Sequence, residues 1–400
     1  MKPTTVFFSG IRLSATFLLA IIFTGCVKTI DNSKSNTVAT SVDNQAGPGD
    51  PTQPGFTTLK KVATKQLSNY RTGVVAAGAG NKVLFAGGLS FNATTGLYTA
   101  FSTVDIFDAT TYVRTTTNLS LARFHHAAAG AGNKIVIAGG KSANGTVTSR
   151  ADIYDVSTNT WTTAELSQAR SHLTAAASGN IIMFAGGLNS AGKNTTRIDM
   201  YDVTTGNWSS SNWGMLKSLP IAAATDGWIA IAGELVNSNN DEVQVYHVNP
   251  PTSWTFSSPL SLVRTPDAGA GAGKKILFAG GKDLNRIDIY NTQNHSWAIK
   301  DMTESKTGMG GGNLGKYVVF AGGRCFACPG EFSNRMDIYN TETGNWSAMS
   351  MTQRMGGLAM ATASDRLFAG GGSDYNTYYL NVDIYSINYN PNVCLPCQLP

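Results

Sequence analysis

Seven cations, Arg71, Arg123, Arg170, Lys217, Arg264, Lys306 and Arg354, each stand fifteen residues before the alanine of an Ala-Gly-Gly or Ala-Gly-Glu triplet. Brought into one ring, they could hold an anion. Two unit charges about 10 Å apart repel by roughly 1.7 kcal/mol at an effective dielectric of 20. A ring of seven therefore needs either a bound anion or internal partners. Partners are available: an Asp-Ile-Tyr-like segment follows most triplets, at Asp105, Asp152, Asp199, Asp288, Asp337 and Asp383, with Gln244 in the fourth unit. Arg150, Arg197, Arg286 and Arg335 lie two residues before four of these aspartates and compete for them, because i and i+2 share a strand face. Anion ring and internal pairing both remain open from sequence.

The glycines themselves invite a phosphate-binding reading. "KKILFAGGKD" at 274–283 ends an apolar run in two glycines and a lysine. A phosphate loop needs one such site running into a helix N-terminus. Here the triplet occurs seven times, and each copy runs into another strand-like segment. The glycines are structural, supplying backbone freedom at strand ends.

Other reactive side chains are sparse. Cys325 and Cys328 form "CFAC", and Cys394 and Cys397 form "CLPC". Two local disulfides are expected in an exported chain, rather than one shared zinc site. His125 and His172 share one register, two residues after the ring cation, and are expected to be structural. Glu234 replaces the second glycine of the fourth unit and is the one acid in an anomalous place. No helix-borne HExxH and no Ser-His-Asp motif occurs. No metal or cofactor is expected.

Short strands must position these residues. The triplet alanines at 86, 138, 185, 232, 279, 321 and 369 are spaced by 42–52 residues. Each is preceded by an apolar run such as "KVLF", "KIVI" or "YVVF", suited to a strand buried on both faces. Before these come small-residue stretches, "HHAAAGAG", "DAGAGAGK" and "MGGGNLGK". Five units carry a tryptophan seven or eight residues past the Tyr: Trp161, Trp208, Trp254, Trp297 and Trp346.

This period and pattern, over residues 56–389, resemble the Kelch repeat. The resemblance implies an all-β, seven-bladed Kelch-type β-propeller with one four-stranded blade per unit. The last unit ends after "DIYSINYN" without its tryptophan strand, while "GFTTLKKVATK" near the start resembles that strand. Residues 56–64 are therefore expected to close the last blade as its outer strand.

In such a blade the loops between the glycine pair and the Asp share a face with the cation ring. They are polar in units two to five and aromatic in units six, seven and one. Closure makes those three units neighbours. Tyr98, Phe101, Phe326, Phe332, Tyr375, Tyr378 and Tyr379, together with Phe91, are the candidate ligand-binding patch. Aromatics with Asn and Arg suit sugar rings or a protein partner. The alternative is a sugar mutarotase resembling the Kelch-type sialic acid epimerases. It would use the cation ring for a sugar carboxylate and Glu234 as acid or base. The Tyr, His and Tyr-linked Cys of a copper-radical oxidase have no evident counterparts.

The N-terminus points to a location. Residues 1–25 read as a lipoprotein signal peptide: Lys2 and Arg12 precede the apolar run "LSATFLLAIIF". "FTGC" resembles a bacterial lipoprotein cleavage box, with Cys26 as the lipidated residue. Residues 26–55 read as a disordered tether, and residues 390–400 as a tail carrying the second CxxC. The net charge of +5 is no nucleic-acid signature. The expectation is a monomeric, lipid-anchored cell-envelope protein with a glycan or protein ligand.

Overall fold

The computed structural model describes residues 59–388, apart from 93, 215, 216, 218, 236–241, 249–254, 375 and 376. The signal peptide, Cys26, the tether, the tail with Cys394 and Cys397, and Tyr375 lie outside the described residues.

Seven four-stranded antiparallel sheets form the blades of a propeller. The first blade runs from its inner strand Val75–Ala79 through Lys82–Ala86 and Thr103–Asp108 to its outer strand Arg114–Asn118. Its second strand is covered on both faces, with Val83, Leu84 and Phe85 all at most 1 % exposed. That explains the unbroken apolar run in each unit. The outer strand Arg114–Asn118 is mostly exposed and threonine-rich.

The Tyr-to-Trp spacing is a hairpin rule. In the second blade Tyr154 on the third strand pairs across to Trp161 on the outer strand, with ring centroids 4.9 Å apart. Tyr201–Trp208, Tyr290–Trp297 and Tyr339–Trp346 repeat this at 5.0, 5.1 and 4.8 Å. Such cross-strand aromatic pairs stabilise a hairpin by about 0.2–1 kcal/mol each.

Crowding selects the small residues of the inner strands. A Cβ on Gly78 would lie 2.0 Å from the Thr362 carbonyl oxygen, and one on Gly130 would lie 2.2 Å from that of Gly78. Neighbouring inner strands therefore approach too closely for any side chain at these points. They surround an axial cavity of about 280 Å³ lined largely by Ala and Gly, with Asn313 and Thr362 among its polar side chains.

Hydrophobic clusters join adjacent blades. Leu277 and Ile289 of the fifth blade pack with Val318 and Phe320 of the sixth. Phe85 and Phe107 of the first pack with Phe368 and Ile384 of the seventh. The ring closes as the sequence predicts, and the closing strand runs two residues past the expected end at 64. Leu59–Gln66 is the outer strand of the last blade and pairs antiparallel with Asn381–Ile387. A bulge between Lys61 and Ala63 interrupts the register. Leu59 is buried beside Leu314 and Tyr317, and Leu67 N–H donates to the Leu380 carbonyl at 2.8 Å. Among the described residues, closure leaves no long free edge.

The seventh blade holds its register one residue late. Asp105 pairs with Phe85 in the first blade, whereas Asp383 pairs with Ala369. The counterparts of Gly87 and Gly88 are thus Gly371 and Gly372, all four at positive φ.

Candidate functional site

Five of the candidate ring cations are buried and ion-paired within their own blades. Arg71 Nη2 lies 2.8 Å from Asp105, Arg123 Nη2 2.7 Å from Asp152, and Arg170 Nη2 2.6 Å from Asp199. Arg264 Nη2 lies 2.7 Å from Asp288, and Lys306 Nζ 2.8 Å from Asp337. The same guanidiniums donate to backbone carbonyls: Arg71 to Gly87 and Phe85, Arg123 to Ile137 and Leu121. The aspartates also accept amides from the crossover, such as Ser68 N–H on Asp105 and Ser120 N–H on Asp152. In the first three blades the arginine pins the entering crossover to the second and third strands, and in the sixth Lys306 ties it to the third. Burial lowers the pKa of Arg71, Arg123 and Arg170, and their aspartates oppose that shift. An arginine so placed stays ionised.

The other two positions differ. Lys217 is buried and donates to the Gly233 and Glu242 carbonyls. Gln244, which stands where the other blades have Asp, is buried, and its side-chain amide has no hydrogen-bond partner among the described residues. Arg354 is not a ring residue. It is exposed and donates to the Phe332 carbonyl at 3.1 Å. Met355, 5 % exposed, takes the ring position, since Gly323 N–H donates to its carbonyl as Gly88 N–H does to that of Arg123. Asp383 accepts instead from the hydroxyls of Thr64 and Thr352, at 2.6 and 2.7 Å, with Lys61 Nζ 3.7 Å away.

The aromatic sector is partly assembled. Phe91 and Tyr98 face each other across the hairpin Leu89–Asn92/Leu97–Ala100, centroids 4.9 Å apart, and are 41 % and 55 % exposed. Tyr378 of the seventh blade reaches across, its hydroxyl accepting the Phe91 N–H at 3.2 Å. Leu97, 66 % exposed, extends the same surface. Phe326, on the sixth blade's loop, is 56 % exposed with the Arg324 guanidinium stacked 4.1 Å from its ring centroid. Phe101 is half-buried, and its carbonyl accepts the Arg123 N–H. Tyr379 is half-buried, packs toward the core and donates to Asp374 at 2.6 Å, which raises its pKa to about 12. Phe332 is 8 % exposed beneath this surface, where a Cβ on Gly356 would lie 3.2 Å from its ring. Its expected ligand contact is thereby corrected.

Two histidines meet on the same face. His125 and His172, on adjacent blades, precede their inner strands at φ 54° and 55°. The equivalent positions in the first, sixth and seventh blades are Gly73, Gly308 and Gly357, also at positive φ. The two imidazoles are T-shaped with centroids 3.8 Å apart, and His125 Nδ1 faces His172 Nε2. Burial, with His172 and Lys141 nearby, lowers His125 to about 4, and burial lowers His172 in the same direction. Both rings are therefore neutral at pH 7.

Glu234 lies 3.4 Å from Lys282 on the surface, with its side chain 39 % exposed, and its N–H donates to Thr265 Oγ1. Cys325 and Cys328 are joined by a disulfide. Sequence reasoning did not find Glu304, whose carboxylate lies beside both sulfurs. It stands in a crossover, far from CFAC in the chain, and no spacing rule links the two.

Comparison with curated proteins gives no match. Residues 122–165 match the Kelch motif. They run from the crossover carrying Arg123 through the outer strand of the second blade. Every blade repeats that architecture around one axis, so the chain is a seven-bladed β-propeller carrying the Kelch motif.

Proposed function

We propose that the propeller binds a glycan or a protein partner through the aromatic sector of its first, sixth and seventh blades. The observation that carries this reading is the Phe91–Tyr98–Tyr378 contact, which bridges two blades while leaving the Phe91 and Tyr98 rings open to solvent. Exposed aromatic faces beside hydrogen-bonding loops suit the apolar faces of sugar rings or the anchor residues of a protein. Arg324 stacked on Phe326 adds a cationic edge. The mutarotase alternative fares worse. Five of the seven cations it would use for a carboxylate clamp are buried against aspartates, and Glu234 faces Lys282.

In this reading the protein is a lipid-anchored envelope component, held through Cys26 with the propeller beyond the tether. The N-terminal strand enters the last blade at Leu59. Screening the intact protein on a glycan array, with Tyr98→Ala as the site variant, tests the binding function.

A further inference from the structure

The sixth blade's loop holds a second chemical feature, independent of ligand binding by the aromatic face. Cys325 Sγ, Cys328 Sγ and a Glu304 carboxylate oxygen all lie within 4.8 Å of one another. The backbone around them is tied down. Arg324 exchanges both backbone hydrogen bonds with Thr307, Cys325 N–H donates to the Glu331 carbonyl, and Cys328 N–H donates to the Cys325 carbonyl. Glu304 is held from behind: Ser333 Oγ, itself buried, donates to Glu304 Oε2 at 2.5 Å. Cys325 is 2 % exposed, whereas Cys328 and Glu304 are half-buried. The cluster is therefore anchored on its inner side and reachable from outside.

We infer that, once its disulfide is reduced, this loop is a binding site for a thiophilic divalent cation of the zinc class, with Cys325, Cys328 and Glu304 as ligands. C-x-x-C is a zinc half-site spacing, and two thiolates with a carboxylate make a three-ligand set that leaves one position for water. After reduction, two thiolates and a carboxylate held in one loop repel one another, so a bound cation is what lets all three ionise together. The Ser333 hydrogen bond is the kind of outer contact that orients a ligating carboxylate.

Reduction gates the site. A dithiol reductant delivers two electrons and two protons to the disulfide. The S–S bond breaks to give two thiols, and the reductant closes its own disulfide. Cation binding then displaces both thiol protons to solvent, so affinity falls as pH is lowered. The oxidised loop offers only Glu304.

The test is a Co²⁺ titration of the full chain carrying Cys394→Ser and Cys397→Ser, which removes the tail pair. The protein is compared oxidised and after reduction with a dithiol that is then removed anaerobically. The reduced protein should bind one equivalent, with a thiolate-to-cobalt charge-transfer band that Zn²⁺ abolishes. The oxidised protein should show no band. Cys328→Ser should eliminate it, and Glu304→Gln, which retains an acceptor for Ser333, should weaken binding by about tenfold or more. Far-ultraviolet circular dichroism checks that each variant is folded. Absence of the band from the reduced protein would overturn the proposal. So would equal binding by the oxidised protein or by Glu304→Gln.

Discussion

Arg123 Nη2 lies 2.7 Å from Asp152 Oδ2, and both side chains are almost wholly buried. The pair joins the crossover from the first blade to the third strand of the second, and Ser120 N–H completes it at 2.9 Å. Removing one partner leaves a buried charge uncompensated, which costs about 3–5 kcal/mol. Asp152→Ala should therefore destabilise by that amount in urea denaturation. Arg123→Met with Asp152→Asn should recover much of the loss, because Met355 already fills the equivalent position in the seventh blade. A double variant no more stable than Asp152→Ala would show that the pairing is not what matters.

Ring closure depends on Leu59–Gln66, which pairs with Asn381–Ile387 and buries Leu59. Deleting residues 56–66 exposes the edge of the last blade and opens its core. The melting temperature should fall by on the order of 10 °C or more. An unchanged melt contradicts this assignment.

Gly130 has an ordinary strand conformation, so its need for glycine is purely steric. A Cβ there meets the Gly78 carbonyl at 2.2 Å. Gly130→Ala should cost about 1–3 kcal/mol by forcing two inner strands apart. Gly214→Ala is the control, since no contact within 4 Å of its Cβ position is found among the described residues, and it should be close to neutral.

His126 is buried, and its Nε2–H donates to the Ala86 carbonyl at 3.1 Å. Burial, reinforced by Arg123, lowers its pKa from 6.5 to about 3. The folded value lies below the unfolded one, so between pH 6.5 and 3 the unfolded chain binds more protons. Stability due to this group is complete above pH 6.5 and falls as the pH drops through that window. The slope approaches about 1.4 kcal/mol per pH unit. His126→Gln retains a donor for Ala86 and should flatten the acid limb of a stability–pH curve measured by urea denaturation. Equal slopes would place the acid sensitivity elsewhere.

The repeat was legible because each level of the fold imposes its own spacing. Strands buried on both faces need apolar runs, tight turns at positive φ favour glycine, and the third-to-outer hairpin fixes Tyr and Trp seven residues apart. The closing strand was legible because the last unit lacks one. The slip in the seventh blade was not. "FAGGG" offers two possible glycine pairs, and only the Asp383–Ala369 pairing shows which is used. A one-residue slip exchanges strand faces, so Arg354 moves to the surface and Met355 to the interior. Phe332 and Phe326 have equal aromatic character in sequence. The turn through Cys328 and Glu331 folds one inward and leaves the other exposed.

Binding through the aromatic sector is tested most directly on a glycan array, with a pull-down from envelope extract as its protein counterpart. Both are run on the intact protein, Tyr98→Ala, Phe326→Ala and a distant surface control, Lys274→Ala. The account predicts a ligand retained by the intact protein and by Lys274→Ala. It predicts loss of about 1 kcal/mol or more, roughly fivefold in affinity, in each aromatic variant. A ligand held equally by all four proteins would contradict it.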